Sequence, residues 1–142
     1  LLKNQNINNV QIISDDKIKS AVIKKSIFAV VKSGTVSLEV CKVGIPSIII
    51  YRMNLLNFFI AKMFLKIRFV NMINIINDKE ILPELIQRDC NANEIFKTVY
   101  YFLKKPDLIN SQLIHVKKTI NDLTSKTSSS FEASKIISSY LT

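Results

Sequence analysis

Glycine and proline are scarce in this chain, with two of one and three of the other among 142 residues. With 48% hydrophobic and 22% charged residues, that scarcity excludes a disordered tail and argues for regular, packed secondary structure. Cys41 and Cys90 have no CxxC or ligand-like spacing, and the single histidine, His115, makes neither a metal set nor a catalytic triad by itself. No metal chemistry is expected, and both thiols are expected to pack in the interior, as suits a reducing cytosol. No run reaches the roughly 18 uninterrupted apolar residues of a membrane span. The chain opens on polar residues 3–9 rather than a signal peptide, so an integral membrane protein is not expected. Residue 1 is Leu rather than Met, which marks an unusual initiation codon or a cut and is a reason to expect a fragment.

Acids are missing from residues 40–77, where Lys42, Arg52, Lys62, Lys66 and Arg68 carry positive charge within a chain of net charge +9. That stretch is expected to face something anionic: ligand phosphates, a membrane surface or nucleic acid. A solvated lysine-rich surface explains the same residues. The length allows one domain, burying on the order of 70% of the surface its unfolded form exposes.

Along the chain, strands and helices alternate. Residues 10–13 read as a strand, Ser14, Asp15 and Asp16 as a helix N-cap, and Ile18, Ala21, Val22 and Lys25 as a helical stripe ending at Ser26. Residues 27–31 are a second strand. Ser33, Gly34 and Thr35 form a tight turn, and Val36, Val40 and Val43 stripe a helix that stops at Gly44. Pro46 introduces a third strand over residues 47–51, apolar without alternation, as where helices cover both faces. Residues 54–67 read as a helix that is apolar almost all round, followed by a short strand at 69–72 and a loop at 74–79. Residues 81–88 read as a short helix with Pro83 in its first turn. Further helices are expected over 93–103, 107–123 and 132–140. Such alternation predicts a parallel sheet whose ligands lie beyond the carboxyl ends of its strands, here Ser14, Ser33 and Arg52.

A strand-to-helix turn of small residues lets a ligand approach backbone N–H groups at the positive end of a helix dipole, so Ser33, Gly34 and Thr35 favour phosphate. A purely conformational glycine gives the same pattern. Glu39 lies one turn into that helix, roughly 60° from Val36. Its carboxylate could accept both hydroxyls of a ribose, or it could be an ordinary early-helix acid favoured by the dipole. Tyr51 and Arg52 bring an aromatic face and a planar donor fork to the same rim.

The run Ser-Gly-Thr-Val-Ser-Leu-Glu (33–39), Val-Gly-Ile-Pro (43–46), Ile-Tyr-Arg-Met (50–53), Ile-Ala-Lys (60–62) and Pro-Glu-Leu-Ile-Gln (83–87) resembles lipid-A-disaccharide synthase, in order and over residues 10–103. The resemblance implies the carboxyl-terminal half of a glycosyltransferase with two Rossmann-like domains. Such an enzyme moves a diacylglucosamine unit from UDP-diacylglucosamine to diacylglucosamine 1-phosphate and releases UDP, with neither metal nor cofactor. By resemblance, Ser33, Gly34 and Thr35 meet the donor diphosphate and Glu39 meets the ribose. Asn74 borders the donor site, Glu80 matches a nearby acid, and Arg52 binds an anion. The chain departs from the family at Ile73, where a proline is usual, and at Asn77, Asp78 and Lys79, where a small residue, glycine and arginine are usual. Lys79 keeps the charge but not the bidentate fork.

An α/β fold is therefore expected, with a Rossmann-like UDP-sugar-binding domain over 9–104 and a helical extension over 105–142. The amino-terminal half, which would hold the acceptor site and the catalytic base, is expected to be missing, leaving the isolated chain incomplete for catalysis. A separately encoded partner and an inactive remnant of a split gene both remain open, as do a homodimer and a non-catalytic basic module on anionic membrane or nucleic acid. No helix-turn-helix, zinc pattern or aromatic-interleaved RNA motif favours nucleic acid. Residues 54–68 would give peripheral membrane contact, with apolar side chains at depth and Arg52 and Arg68 at the rim. The expected location is the cytoplasm, peripheral on the inner face of a bacterial inner membrane.

Overall fold

Three short strands form one parallel sheet, and each needs a crossover to return to the same edge. The computed structural model describes residues 9–54, 68–124 and 129–140. The elements are α1 (Asp16–Lys25), β1 (Ala29–Lys32), α2 (Thr35–Val43), β2 (Ser47–Tyr51), α3 (Met72–Asn77), β3 (Glu84–Ile86), α4 (Ala92–Leu103), α5 (Pro106–Leu123) and α6 (Ser129–Ser139). The strand order is β1-β2-β3, with Val31 opposite Ile49 and Ile49 opposite Glu84. This is the expected α/β arrangement, a Rossmann-like parallel sheet with helices around it.

Local chemistry sets the helix ends. The Asp15 carboxylate accepts from the Lys17 and Ile18 amides at 2.8 and 2.9 Å and starts α1. Asn71 and Asn91 do the same for α3 and α4. Gly44 ends α2 in the left-handed region at φ 81°, where a side chain would be strained. Pro106 occupies the first turn of α5, where its missing N–H costs nothing.

The core joins Val31 of β1, Val40 and Cys41 of α2, Ile49 of β2, Ile73 of α3, Ile81, Leu82 and Val116 of α5. Gln112 of α5 is buried and closes the base of β2: its amide donates to the Ser47 and Ile81 carbonyls at 3.0 and 3.2 Å and accepts from the Ser47 amide at 2.9 Å.

Several expectations are corrected. Residues 10–13 form no strand; Val10 and Ile12 are exposed, and Ser14 is not a strand end. Ile18 and Val22 face solvent, and Ile23 is the α1 residue packed on the core. In α2 the inward face is Ser37, Val40 and Cys41, while Val36 and Val43 are exposed. In place of the strand expected at 69–72 and the loop at 74–79, irregular backbone over 69–71 leads into α3 at 72–77, because Asn71 and Asn74 are buried and Asn71, Asn74 and Asn77 hydrogen-bond their side chains to neighbouring groups instead of breaking the chain. The helix expected at 81–88 is β3. Its residues pair with β2, extended by the Ile49 amide donating to the Pro83 carbonyl at 2.8 Å and the Gln87 amide donating to the Tyr51 carbonyl at 2.9 Å. A proline at the head of a strand removes no needed donor. The helix expected over 54–67 lies outside the described residues.

Burial pushes the Cys41 thiol up from 9.0 to about 11, because the thiolate would be desolvated, whereas Cys90 is only half-buried. The thiolate is the reactive form. At pH 8 iodoacetamide is therefore expected to alkylate Cys90 rapidly and Cys41 only on unfolding, as peptide mass mapping would show. Since the folded value is the higher, Cys41 also makes the fold less stable as pH rises from 9.0 towards about 11. Equal labelling of both thiols in the folded chain would contradict this packing.

Candidate functional site

At the carboxyl end of β1 the chain turns sharply into α2. Ser33 follows the strand, and Gly34 is the N-cap of α2 with φ 151° and ψ −165°. No side chain caps this helix, unlike α1, α3 and α4. Among the described residues, a β-carbon built on Gly34 would meet no atom within 4 Å. The amide end of α2 thus has no side-chain cap among the described residues and lies at the edge where ligands of parallel sheets bind.

The turn is held from below. The Ser33 hydroxyl donates to the Val70 carbonyl at 2.8 Å. Ser37, 1% exposed, donates to the Gly34 carbonyl at 2.6 Å and accepts from the Asn71 side-chain amide at 3.0 Å. The segment carrying Val70 and Asn71 is in turn fixed by Glu84 of β3, whose carboxylate accepts from the Val70 amide at 2.8 Å and the Asn71 amide at 2.9 Å. Asn74 completes the set: its Nδ2 donates to the Leu82 carbonyl and to Glu84 at 2.7 and 2.8 Å, and its Oδ1 accepts from the Ile81 and Leu82 amides at 2.8 and 2.9 Å.

The seven residues singled out in the sequence fall in different places. Ser33, Gly34 and Thr35 form the turn, and Arg52, exposed just beyond β2, stands on the same edge, since Lys32 of β1 is opposite Ile50 of β2. Glu39 lies on the outer side of α2, across from α1, with Lys19 Nζ at 3.9 Å. It lines a cleft of 440 Å³ together with Asp16, Lys19, Ser20 and Lys42. Asn74 is fully buried, with both its donors and its acceptor engaged by the protein. Glu80 is exposed on the segment leading into β3, where it accepts from the Glu84 amide at 3.2 Å. The structure brings the turn and Arg52 to one edge, places Glu39 behind the turn on α2, and puts Asn74 and Glu80 on the framework beneath.

Sequence reasoning missed Ser37, Asn71, Glu84 and Gln87. Gln87 has φ 53°, an uncommon conformation for its type, and its side chain forms two bonds with the Met53 backbone, accepting from the amide at 2.9 Å and donating to the carbonyl at 3.2 Å. Those bonds pin the segment that follows Arg52. An acid at the head of an apolar strand, as Glu84 is, was the available signal. Among the described residues no group of His, Cys, Asp or Glu side chains could hold a metal ion. No helix among them is long and apolar enough to cross a membrane.

Replacing Asn74 with Ala strands two buried amides and removes one of the three donors to Glu84. Asn74→Ala is expected to destabilise the fold by about 2–4 kcal/mol in urea unfolding, since each unpaired buried polar group costs about 1–3 kcal/mol. A loss under ~1 kcal/mol would show that these bonds carry little.

Known proteins are similar to this chain in sequence. A family profile described as lipid-A-disaccharide synthetase matches residues 1–137. The lipid-A-disaccharide synthase of Rickettsia bellii is 37% identical over 128 residues, 89% of this chain and 33% of that protein. That of Rickettsia prowazekii is 35% identical over 131 residues, 91% of this chain and 34% of the relative. That of Rickettsia conorii is 42% identical over 95 residues, 67% and 21% of the two chains. The chain thus spans about a third of the length of the curated relatives it matches. With an α/β sheet in place and the profile covering nearly every residue, the protein belongs to the lipid-A-disaccharide synthetase family, glycosyltransferases of lipid A biosynthesis.

Proposed function

We propose that this chain is the donor-binding part of such a glycosyltransferase and holds the UDP moiety of UDP-diacylglucosamine at the carboxyl edge of its sheet. The observation that carries this reading is the Gly34 turn, where a helix amide end with no side-chain cap is bonded through Ser33 and Ser37 to Val70 and Asn71, and through their amides to Glu84 of β3. The diphosphate lies against Ser33, Gly34 and Thr35, whose backbone amides and the dipole of α2 offset its charge. Glu39 accepts from the ribose hydroxyls, and Arg52 supplies a cation at the same edge. Asn74 and Glu80 border the site and act on it through Glu84, which holds the segment bonded to Ser33 and Ser37.

The reaction so assigned is a displacement. The acceptor hydroxyl oxygen of diacylglucosamine 1-phosphate bonds to the anomeric carbon, and the bond from that carbon to the diphosphate oxygen breaks. The hydroxyl proton passes to a base, and UDP leaves. Stabilising the charge that develops on the departing diphosphate is the task of the α2 turn. The base and the acceptor site belong, in this reading, to the further polypeptide length that the relatives have, on the same chain or on a separately encoded one. A peripheral position on the inner membrane face, with contact through residues 54–68, follows from the acylated substrates; residues 55–67 of that stretch lie outside the described residues. A homodimer remains compatible with this arrangement.

Calorimetric titration of the folded chain with UDP tests the reading, with CMP and AMP as controls. Uridine-selective binding is expected, and Glu39→Ala is expected to weaken it by about 10-fold or more, since hydrogen bonds to a charged group contribute about 1.5–3 kcal/mol. A folded chain that binds the three nucleotides alike, or binds none, would remove the donor role.

A further inference from the structure

The cleft between α1 and α2 contains more than Glu39. Its rim carries Asp16, Lys19, Glu39 and Lys42, two acids and two bases, around a volume of 440 Å³. That volume lies within the range of small-molecule sites, roughly 300–1,000 Å³. Lys19 stands one turn into α1 and Glu39 one turn into α2, so the first turns of two adjacent helices place an ammonium and a carboxylate 3.9 Å apart. Both side chains are partly exposed, at 40% and 57%, so either can reach a ligand without leaving the protein.

The charge pattern gives the pair a purpose. A carboxylate that receives ribose hydroxyls must sit close to a diphosphate, and two like charges near each other repel. A cation beside the carboxylate offsets that repulsion and limits where the carboxylate can point. Without Lys19 the rim would have two acids against one base. With it the charges balance, and Lys19 Nζ lies 3.9 Å from the Glu39 carboxylate on the lining of the cleft.

We propose that Lys19 is a positioning residue for ribose recognition, holding the Glu39 carboxylate in place and offsetting its charge so that it can accept from the ribose hydroxyls beside the diphosphate. This rests on the donor reading of Glu39 above. Lys19 itself forms no covalent bond and moves no proton; its effect is on discrimination between nucleotides. An exposed pair at this distance contributes about 0.2–1 kcal/mol, so its removal changes affinity by about 1.5- to 5-fold.

Affinities of the full chain for UDP and for 2′-deoxy-UDP, measured by calorimetry in wild type, Lys19→Met and Lys19→Arg, test the assignment. The preference of wild type for UDP over the deoxy nucleotide is expected to fall by about 1.5- to 5-fold in Lys19→Met and to be retained in Lys19→Arg. Because Lys19 is partly exposed and outside the core, circular dichroism should show the same fold in all three. A preference unchanged in Lys19→Met, with UDP binding intact, would overturn the role of Lys19 while leaving the donor site standing. A preference that rises in Lys19→Met would mean that Lys19 competes with ribose for Glu39, and would overturn it equally. Failure of wild type to bind UDP would remove the donor reading and this inference with it.

Discussion

The half-buried carboxylate of Glu84 and the buried side-chain amide of Asn74 are the constraint on which the rest of the arrangement depends. Between them they pair the amides of Val70, Asn71, Ile81 and Leu82 and the Leu82 carbonyl. None of these groups has a ladder partner, because the chain enters α3 and leaves it towards β3 through irregular backbone. Unpaired buried amides would make that crossover too costly to bury. Paired, they let α3 lie against the sheet, with Ile73 in the core, and they fix the segment to which Ser33 and Ser37 are bonded. The stability of the sheet face and the shape of the α2 turn are therefore one problem with one solution.

That solution separates tasks. Ser33 and Arg52 at the edge of the sheet, and Glu39 on the outer side of α2, are left exposed or half-exposed, while Ser37, Asn71 and Asn74 beneath the turn are buried and Glu84 is half-buried. The donor role proposed above rests on such stiffness, because amides aimed in advance do not have to reorganise when charge develops. The family assignment gives the arrangement its context, and the chain spans about a third of the length of the relatives it matches.

What could be read from the sequence was what local chemistry specifies. The turn at Gly34, the stop at Gly44 and the buried run of β2 each have a signal within a few residues, and each stands where it was expected. The family resemblance rested on the same segments. The asparagines of α3 were misread because Asn at short intervals usually signals a loop, whereas Asn71, Asn74 and Asn77 bond to partners up to 42 residues away. β3 was misread because Pro83 also suits a helix start, and only pairing with β2 decides between the two. Residues 10–13 have the composition of a strand but no neighbouring strand in the described structure. Glu39 and Arg52 were legible as charged residues at strand or helix ends. The Lys19 side chain facing Glu39 was not, since α1 and α2 meet only in the folded chain.

The claim that Glu84 holds the turn as well as the crossover can be tested by amide hydrogen exchange, followed by NMR, in Glu84→Gln. Glutamine keeps a single acceptor oxygen and turns an amide donor towards groups that are themselves donors. The account predicts faster exchange at Val70, Asn71 and Ser37, with protection retained at Ile48, Ile49 and Ile50 in the middle of the sheet. Unchanged exchange at Ser37, or uniform acceleration across β2, would contradict it.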